Sequence, residues 1–258
     1  MPGRPECVIL PGAGLWGGRV LLFDALPSTN QWSLEHAGEL RRGDIVRAVR
    51  QTAGRGRFQR VWASPGNRCL TLSVVLAPAN GGPPADAATR IAALAVCATL
   101  EEQGFCPLLK WPNDVLLAVR KVAGILAERS GGDGPVVLGI GLNVNMSRKD
   151  IAAARCDYPA TSMAIERGRQ CDVDTVCKTL LAKLEQTFDR TAAEGNTFLD
   201  REWRKRDALV GRNVEITTQT GTVAGEYLGL NPSGELRLRD AQGTERCFSA
   251  GDVSLNAW

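Results

Sequence analysis

The residues with the most chemistry to offer lie in a few short segments. Gln51-Thr52-Ala53-Gly54-Arg55-Gly56-Arg57-Phe58-Gln59-Arg60-Val61-Trp62 interleaves glycines with arginines. Glycine lets the backbone approach a ligand, and guanidinium groups give charge-assisted forked donors, so the segment reads as a loop that binds phosphate or carboxylate. A solvated surface loop or an RNA-binding Arg-Gly stretch is the alternative, but one short copy between apolar runs differs from repeated disordered tracts. Lys110-Trp111-Pro112-Asn113-Asp114 is a rigid turn carrying an amide and a carboxylate. Shortly after it, Lys121-Val122-Ala123-Gly124-Ile125-Leu126 sets a lysine at the opening of an apolar strand. Taken singly, Lys121 is a strand-end charge and Asp114 a turn cap. Their coincidence with the arginine loop raises the reading of a site.

Other chemistries are excluded by what the chain lacks. It has one histidine, His36, so multi-histidine zinc sites are ruled out and only this residue could serve a Ser or Cys triad. His36 follows Gln31-Trp32-Ser33-Leu34-Glu35 and reads as a surface position on an amphipathic helix. The 8 cysteines contain no Cys-x-x-Cys pair, and several lie in apolar runs such as Leu94-Ala95-Val96-Cys97, as expected of reduced thiols. Gly12-Ala13-Gly14-Leu15-Trp16-Gly17 matches a dinucleotide fingerprint, but Val20 to Phe23 looks extended where a helix is required and Asp24 comes too early. No P-loop motif occurs.

The elements that must position these groups follow from periodicity. Cys7 to Leu10 and Val20 to Phe23 read as short strands, and Ser28-Thr29-Asn30 suits the N-cap of a helix. Ile45 to Val49 and Leu70 to Leu76 read as buried strands joined by the arginine loop. After Gly81-Gly82-Pro83-Pro84, the apolar residues from Asp86 to Gln103 fall on one helical face. Val115 to Ala118, Val122 to Glu128 and Val136 to Val144 read as strands, the last two separated by Ser130-Gly131-Gly132-Asp133-Gly134-Pro135, which implies a central sheet. From Asp172, apolar residues at three- and four-residue steps predict an amphipathic helix packed across that sheet. Beyond Asp207 the pattern shortens to Val214–Thr217, Thr222–Ala224, Leu236–Leu238 and Cys247–Ser249, a small β-barrel that must dock on the larger domain to be stable.

The length, 258 residues, suits one large domain with a small appendix. With 44% hydrophobic and 23% charged residues the chain is an ordinary globular protein, and a formal charge of +3 gives no field suited to nucleic acid. No leader and no membrane-length apolar run is present, which predicts a cytoplasmic protein.

In order and spacing, Ser28-Thr29-Asn30, Gln51 with Gly54-Arg55-Gly56-Arg57, Lys110 to Asp114, Lys121 to Leu126 and Gly139-Ile140-Gly141-Leu142-Asn143-Val144-Asn145 resemble the biotin protein ligase family over nearly the whole chain. Ala160-Thr161-Ser162 matches a shorter family motif. The resemblance is to monofunctional bacterial members. It implies an α+β catalytic domain with a mixed sheet, like that of lipoate ligases and class II aminoacyl-tRNA synthetases, over residues 1–208. A small SH3-like β-barrel follows over 209–258.

The activity implied is a two-step ligation with magnesium (Mg2+) accompanying ATP. Biotin and ATP give biotinyl-5′-AMP and pyrophosphate, and a lysine of a biotin carboxyl carrier protein or carboxylase biotinyl domain then takes the biotinyl group and releases AMP. Biotin contacts are implied for Ser28, Thr29, Asn30, Gln51, Gly54, Arg55, Gly56, Arg57 and Lys121. Contacts to ATP or the adenylate are implied for Arg55, Arg57, Arg60, Trp62, Lys121 and Asn143. Lys121 matches the family's essential lysine, Arg57 shares the catalytic role, and Asp114 would orient or deprotonate the acceptor lysine. Magnesium ligands are not specified, and a homodimer is compatible with the motifs.

Two departures stand out. Phe58-Gln59-Arg60 replaces the Arg-Gly-Arg with which family members often continue the loop, putting glutamine where a flexible glycine is usual. The stretch before Val20 is also shorter than the helix-turn-helix domain of bifunctional members, which predicts a ligase that is not a repressor. The rival readings are a lipoate ligase, against which the arginine loop and terminal strands argue, an inactive ligand-binding protein, which should lack Lys121, and a nucleic-acid module.

Overall fold

The computed structural model describes residues 7–78, 83–129, 131–132, 134–154, 156 and 158–255. Gly81, Gly82, Ser130 and Asp133 of the expected breaks lie outside them. In chain order the elements are β1 (Cys7–Leu10), β2 (Val20–Leu26), α1 (Thr29–Glu35), β3 (Ile45–Gln51), β4 (Cys69–Pro78), α2 (Ala85–Glu102), β5 (Leu108–Lys110), β6 (Asp114–Leu117), β7 (Arg120–Arg129), β8 (Pro135–Asn143), α3 (Arg148–Ala153), α4 (Met163–Arg167), α5 (Val173–Glu194), α6 (Asn196–Arg204), β9 (Asn213–Thr218), β10 (Gly221–Leu230), β11 (Leu236–Asp240), β12 (Glu245–Phe248) and β13 (Asp252–Leu255).

The first eight strands form one mixed sheet in the order β1-β2-β3-β4-β8-β7-β6-β5. Only β2 and β3 run parallel, joined through α1, and the other neighbours are antiparallel. Alternation along the central strands divides its faces. Leu70, Leu72, Val74, Leu138, Ile140 and Leu142 point into the main core beneath α2. On the opposite face α1 covers Phe23, Val46 and Ala48, which form a second, smaller core.

Helix α2 is buried almost all round, with Ala88, Ile91, Ala92, Ala93, Leu94, Ala95 and Val96 all inaccessible. It therefore needs cover on two sides: the sheet lies on one and α5 on the other. The expectation that α5 crosses the sheet is corrected accordingly, since it stacks chiefly on α2. Ala118, read as strand, instead has φ 45° and forms with Val119 (φ 57°) the two-residue turn between β6 and β7. A tight hairpin needs that left-handed geometry at both central residues. Helix α6, whose buried side chains are Phe198, Leu199 and Trp203, went unread in the charged stretch there.

The last five strands pair antiparallel in the order β12-β11-β10-β9-β13. Strand β13 was not anticipated. The sheet docks on the rest of the chain through one continuous core that includes Val214, Ile216, Tyr227, Leu236, Leu238 and Val253. Polar ties fix the docking: the Tyr227 hydroxyl donates to Asp207 at 2.6 Å, and the Trp111 indole donates to the Gly234 carbonyl at 3.1 Å.

The Gly12 to Gly17 stretch forms a short 3₁₀ turn before β2 and opens no long helix, so the dinucleotide reading falls away. His36 caps the end of α1 with its ring stacked on Trp32 at 4.1 Å.

Candidate active site

A cavity of about 710 Å³ lies on the sheet face that α2 does not cover. Its floor is made by what the strands omit. Thr71 pairs with Gly141, Ser73 with Gly139 and Cys69 with Asn143 across β4 and β8, while Gly124 pairs with Gly141 across β7 and β8. A side chain on Gly139 would meet Asn30 Oδ1 at 2.3 Å, and one on Gly141 would meet the Trp62 ring at 2.4 Å. Small residues on this face leave room for ligand-binding groups that reach in from elsewhere.

One end of the cavity is a closed hydrogen-bond lattice. Ser28 caps α1, accepting from the Gln31 backbone N–H, and so holds Thr29 and Asn30 in the first turn. Gln51 Oε1 accepts from the Thr29 backbone N–H at 2.7 Å and from its hydroxyl at 3.2 Å. Ser73 on β4 donates to Thr29 at 2.8 Å or to Asn30 Oδ1 at 2.6 Å. The Asn30 amide donates to the Leu126 carbonyl and to Glu128, and Glu128 pairs with Arg55 at 2.7 Å. Ser28, Thr29, Asn30 and Ser73 are all buried.

The other end is cationic. Lys121 Nζ lies 2.6 Å from Asp114 Oδ1. Asp114 faces Gly124 across the β6–β7 ladder, and a Cβ there would sit 3.3 Å from that amine, so the glycine makes space for the ion pair. The strand segment carrying Lys121 is pinned by Lys121 N–H to the Pro159 carbonyl at 2.8 Å and by Thr161 N–H to the Lys121 carbonyl at 2.9 Å. Asn143 donates to the Thr161 carbonyl at 2.9 Å.

The arginine loop folds back on itself. Trp62 N–H donates to the Gly54 carbonyl at 2.9 Å and Gly56 N–H to the Arg60 carbonyl at 2.7 Å. Between them Phe58 and Gln59 both take left-handed backbone, at φ 53° and 60°. Gln59 stands where the resemblance sets a glycine, and a non-glycine residue is strained in this backbone at both positions. Arg60 forks onto Asp252 of β13 at 2.6 and 3.1 Å, and Arg57 reaches the Gly251 carbonyl at 3.4 Å. Burial pushes the Arg57 guanidinium pKa down against the pull of Asp252 and Asp114, and as an arginine it stays charged. The Trp62 indole N–H is buried without an acceptor among the described residues, as is Arg55 Nε.

Ser28, Thr29, Asn30, Gln51, Arg55, Gly56, Arg57, Arg60, Trp62, Asp114, Lys121 and Asn143 all line this one cavity. Gly54 does not. It packs beneath the loop, where a Cβ would meet the Trp62 carbonyl at 2.4 Å. Residues 22–145 match the Biotin/lipoate A/B protein ligase family, and residues 209–256 match the Biotin protein ligase C terminal domain. The Bifunctional ligase/repressor BirA of Bacillus subtilis is 32% identical over 244 residues, covering 93% of this chain and 74% of the relative.

This chain belongs to the biotin protein ligase family. The Biotin--[acetyl-CoA-carboxylase] ligase of Paracoccus denitrificans is 34% identical, with 84% of this chain and 93% of that one covered. Among solved structures, a biotin protein ligase from Aquifex aeolicus in complex with biotin and ATP superposes with a TM-score of 0.79 at 26% identity, covering 92% of this chain and 98% of its own. The fold is thus the biotin ligase fold, a mixed catalytic sheet with an antiparallel C-terminal sheet. Among the described residues no helix is long and apolar enough to cross a membrane.

Sequence reasoning passed over several lining groups. Gly124, Gly139 and Gly141 stood in quoted motifs without a role, though glycines two apart on one strand signal an open face. Lys110 was quoted as part of a turn, and Asp252 gave no local signal at all.

Proposed function

We propose that the protein activates biotin with ATP as biotinyl-5′-AMP, releasing pyrophosphate, and then transfers the biotinyl group to a lysine of a biotin carboxyl carrier protein or carboxylase domain, releasing AMP. The observation that carries this reading is the polarity of this cavity: a hydrogen-bond lattice at Thr29, Asn30 and Gln51 at one end, and cations at Lys121 and Arg57 at the other. Biotin has the matching asymmetry, a polar fused ring at one end and a carboxylate at the other.

In the first step an oxygen of the biotin carboxylate attacks the α-phosphorus. Lys121 and Arg57 offset the repulsion between two anions and stabilise the charge that grows as they meet. No enzyme nucleophile is required. Asp114 holds Lys121 in place, and in the second step it is the carboxylate available to orient or deprotonate the acceptor lysine. Arg55, Arg60, Trp62 and Asn143 lie around the adenylate, and the arginine loop over it excludes water from the reactive anhydride.

Magnesium accompanies ATP in this reading. The described residues hold no cluster of three or more His, Cys, Asp or Glu side chains suited to a metal, and Asp114, Asp252 and Glu128 are each held by a cation. These residues do not form a protein cage for the ion, which fits phosphate oxygens and water better. Residues 1–208 form the catalytic unit and 209–258 the C-terminal unit. The reading places the protein in the cytoplasm, acting without DNA.

The test is intact-mass analysis of a purified carrier domain incubated with the protein, biotin and ATP. A gain of one biotinyl group that requires ATP, and is lost when the acceptor lysine is replaced by arginine, supports the reading. No gain with folded protein, or a gain from lipoate alone, overturns it.

A further inference from the structure

Lys110 brings a positive charge to the cavity that the reading above leaves unused. It ends β5, faces Asp114 across the β5–β6 hairpin, and is only 7% exposed while lining the cavity. An ammonium offers three donors and no acceptor. Among the described residues the contact it makes is with the face of Tyr158, whose ring centroid lies 4.2 Å from Nζ. The nearby carboxylates are engaged elsewhere, Asp114 by Lys121 and Asp252 by Arg60. The side chain is buried as a whole, yet the residue lines the cavity, so its charge is placed where an anion entering the cavity can meet it.

We infer that Lys110 receives the leaving group of the first step, holding the β- and γ-phosphates of ATP as pyrophosphate departs. The inference rests on the adenylation reading above. As a biotin carboxylate oxygen bonds to the α-phosphorus, the bond from that phosphorus to the α,β-bridging oxygen breaks, and its electron pair leaves with pyrophosphate. Charge therefore moves away from Lys121, which serves the bond being made, towards a second cation that serves the bond being broken. Lys110 transfers no proton in this step. Burial lowers its pKa while Asp114 favours the charged form, and a polyanion beside it strengthens that preference. In the second step pyrophosphate is gone, so Lys110 has no part in it.

This division makes the assignment testable by half-reaction. With Lys110→Met, ATP–pyrophosphate exchange falls by about a hundredfold, the scale of losing one preorganised charge-stabilising donor. The KM values for ATP and pyrophosphate rise. Biotin binding, and transfer to a carrier domain from supplied biotinyl-5′-AMP, stay within about twofold of the parent, and Lys110→Arg restores part of the exchange because it keeps the charge. Equal loss in both half-reactions, or unchanged exchange, overturns the assignment. Lys110→Gln serves the same comparison if the methionine variant does not fold. Parent protein that exchanges with biotin beside an unimpaired Lys110→Met refutes the Lys110 role alone, whereas folded parent with no biotin-dependent exchange refutes the adenylation reading itself.

Discussion

The two ends of the cavity are built in opposite ways. At the Thr29 end nearly every polar atom already has a protein partner: Gln51, Ser73, Asn30 and Glu128 hold one another in a buried lattice before any ligand arrives. At the Arg57 end the loop closes through few bonds, crosses two left-handed residues, and leans on Asp252 and the Gly251 carbonyl of the C-terminal sheet. The first end is preorganised and selects by shape and hydrogen bonding. The second gathers the cations, with Lys121 and Arg60 held by carboxylates and Arg57 against the Gly251 carbonyl. That split suits a two-step ligase, which needs a fixed seat for one substrate and a cover that opens to exchange the others.

The contrast breaks most visibly if the loop is cut at its charge. Arg57→Gly should raise the release of biotinyl-5′-AMP by about 10- to 100-fold, the loss of a charge-assisted hydrogen bond, with little change in melting temperature. Retention of the adenylate for as long as in the parent, followed by rapid filtration, would show that the loop does not seal the site.

A mutation in the lattice should behave differently. Gln51→Leu leaves the buried Thr29 N–H without its acceptor, a cost of about 1–3 kcal/mol, so both thermal stability and biotin affinity fall together. Calorimetry of melting and of biotin binding checks this. A loss of affinity with stability intact would mean that the lattice forms only with ligand.

Gln59→Gly sharpens the comparison within the loop. The left-handed backbone at φ 60° costs a non-glycine residue about 1–2 kcal/mol, which glycine does not incur. Removing the strain while loosening the backbone should change adenylate release only a few-fold, and the direction separates the two effects. Slower release points to relief of strain in the closed loop, and faster release to added freedom.

The smallest effect expected lies far from the cavity, where the account assigns structure alone. Burial pushes the Glu202 carboxyl up, but hydrogen bonds from Lys205, Arg206 and Arg201 outweigh it and hold the pKa at about 2. A carboxyl held below its unfolded value stabilises the fold above that unfolded value and loses the contribution as pH falls towards 2. The melting-temperature gap between parent and Glu202→Gln should therefore be full near neutrality, shrink below about pH 4.5 and close near pH 2, with exchange activity at neutral pH unchanged. A gap independent of pH would place the effect in packing.

What could be read from the sequence followed the same division. Local signals were legible: Ser28 caps α1 as its type predicts, the apolar runs of β3, β4, β7 and β8 mark a central sheet, and the arginine loop and Lys121 converge on one cavity. Groups whose meaning depends on distant partners were not. Arg60 and Asp252 are 192 residues apart, so their pairing leaves no trace in spacing. Lys110 reads only as the first residue of a rigid turn, because nothing local reveals that Tyr158 and the cavity wall bury it. Ala118 looked like strand because its apolar type matches its neighbours, whereas the hairpin geometry dictated its backbone.

The central claim is that one cavity activates biotin on ATP, and ATP–pyrophosphate exchange tests it most directly because no acceptor is needed. Purified protein is supplied with magnesium, labelled pyrophosphate and either biotin or lipoate, beside a Lys121→Ala variant of unchanged melting temperature. The account predicts exchange with biotin, none with lipoate, and a loss of at least about a hundredfold in the variant. Exchange with lipoate alone, or undiminished exchange without Lys121, would contradict it.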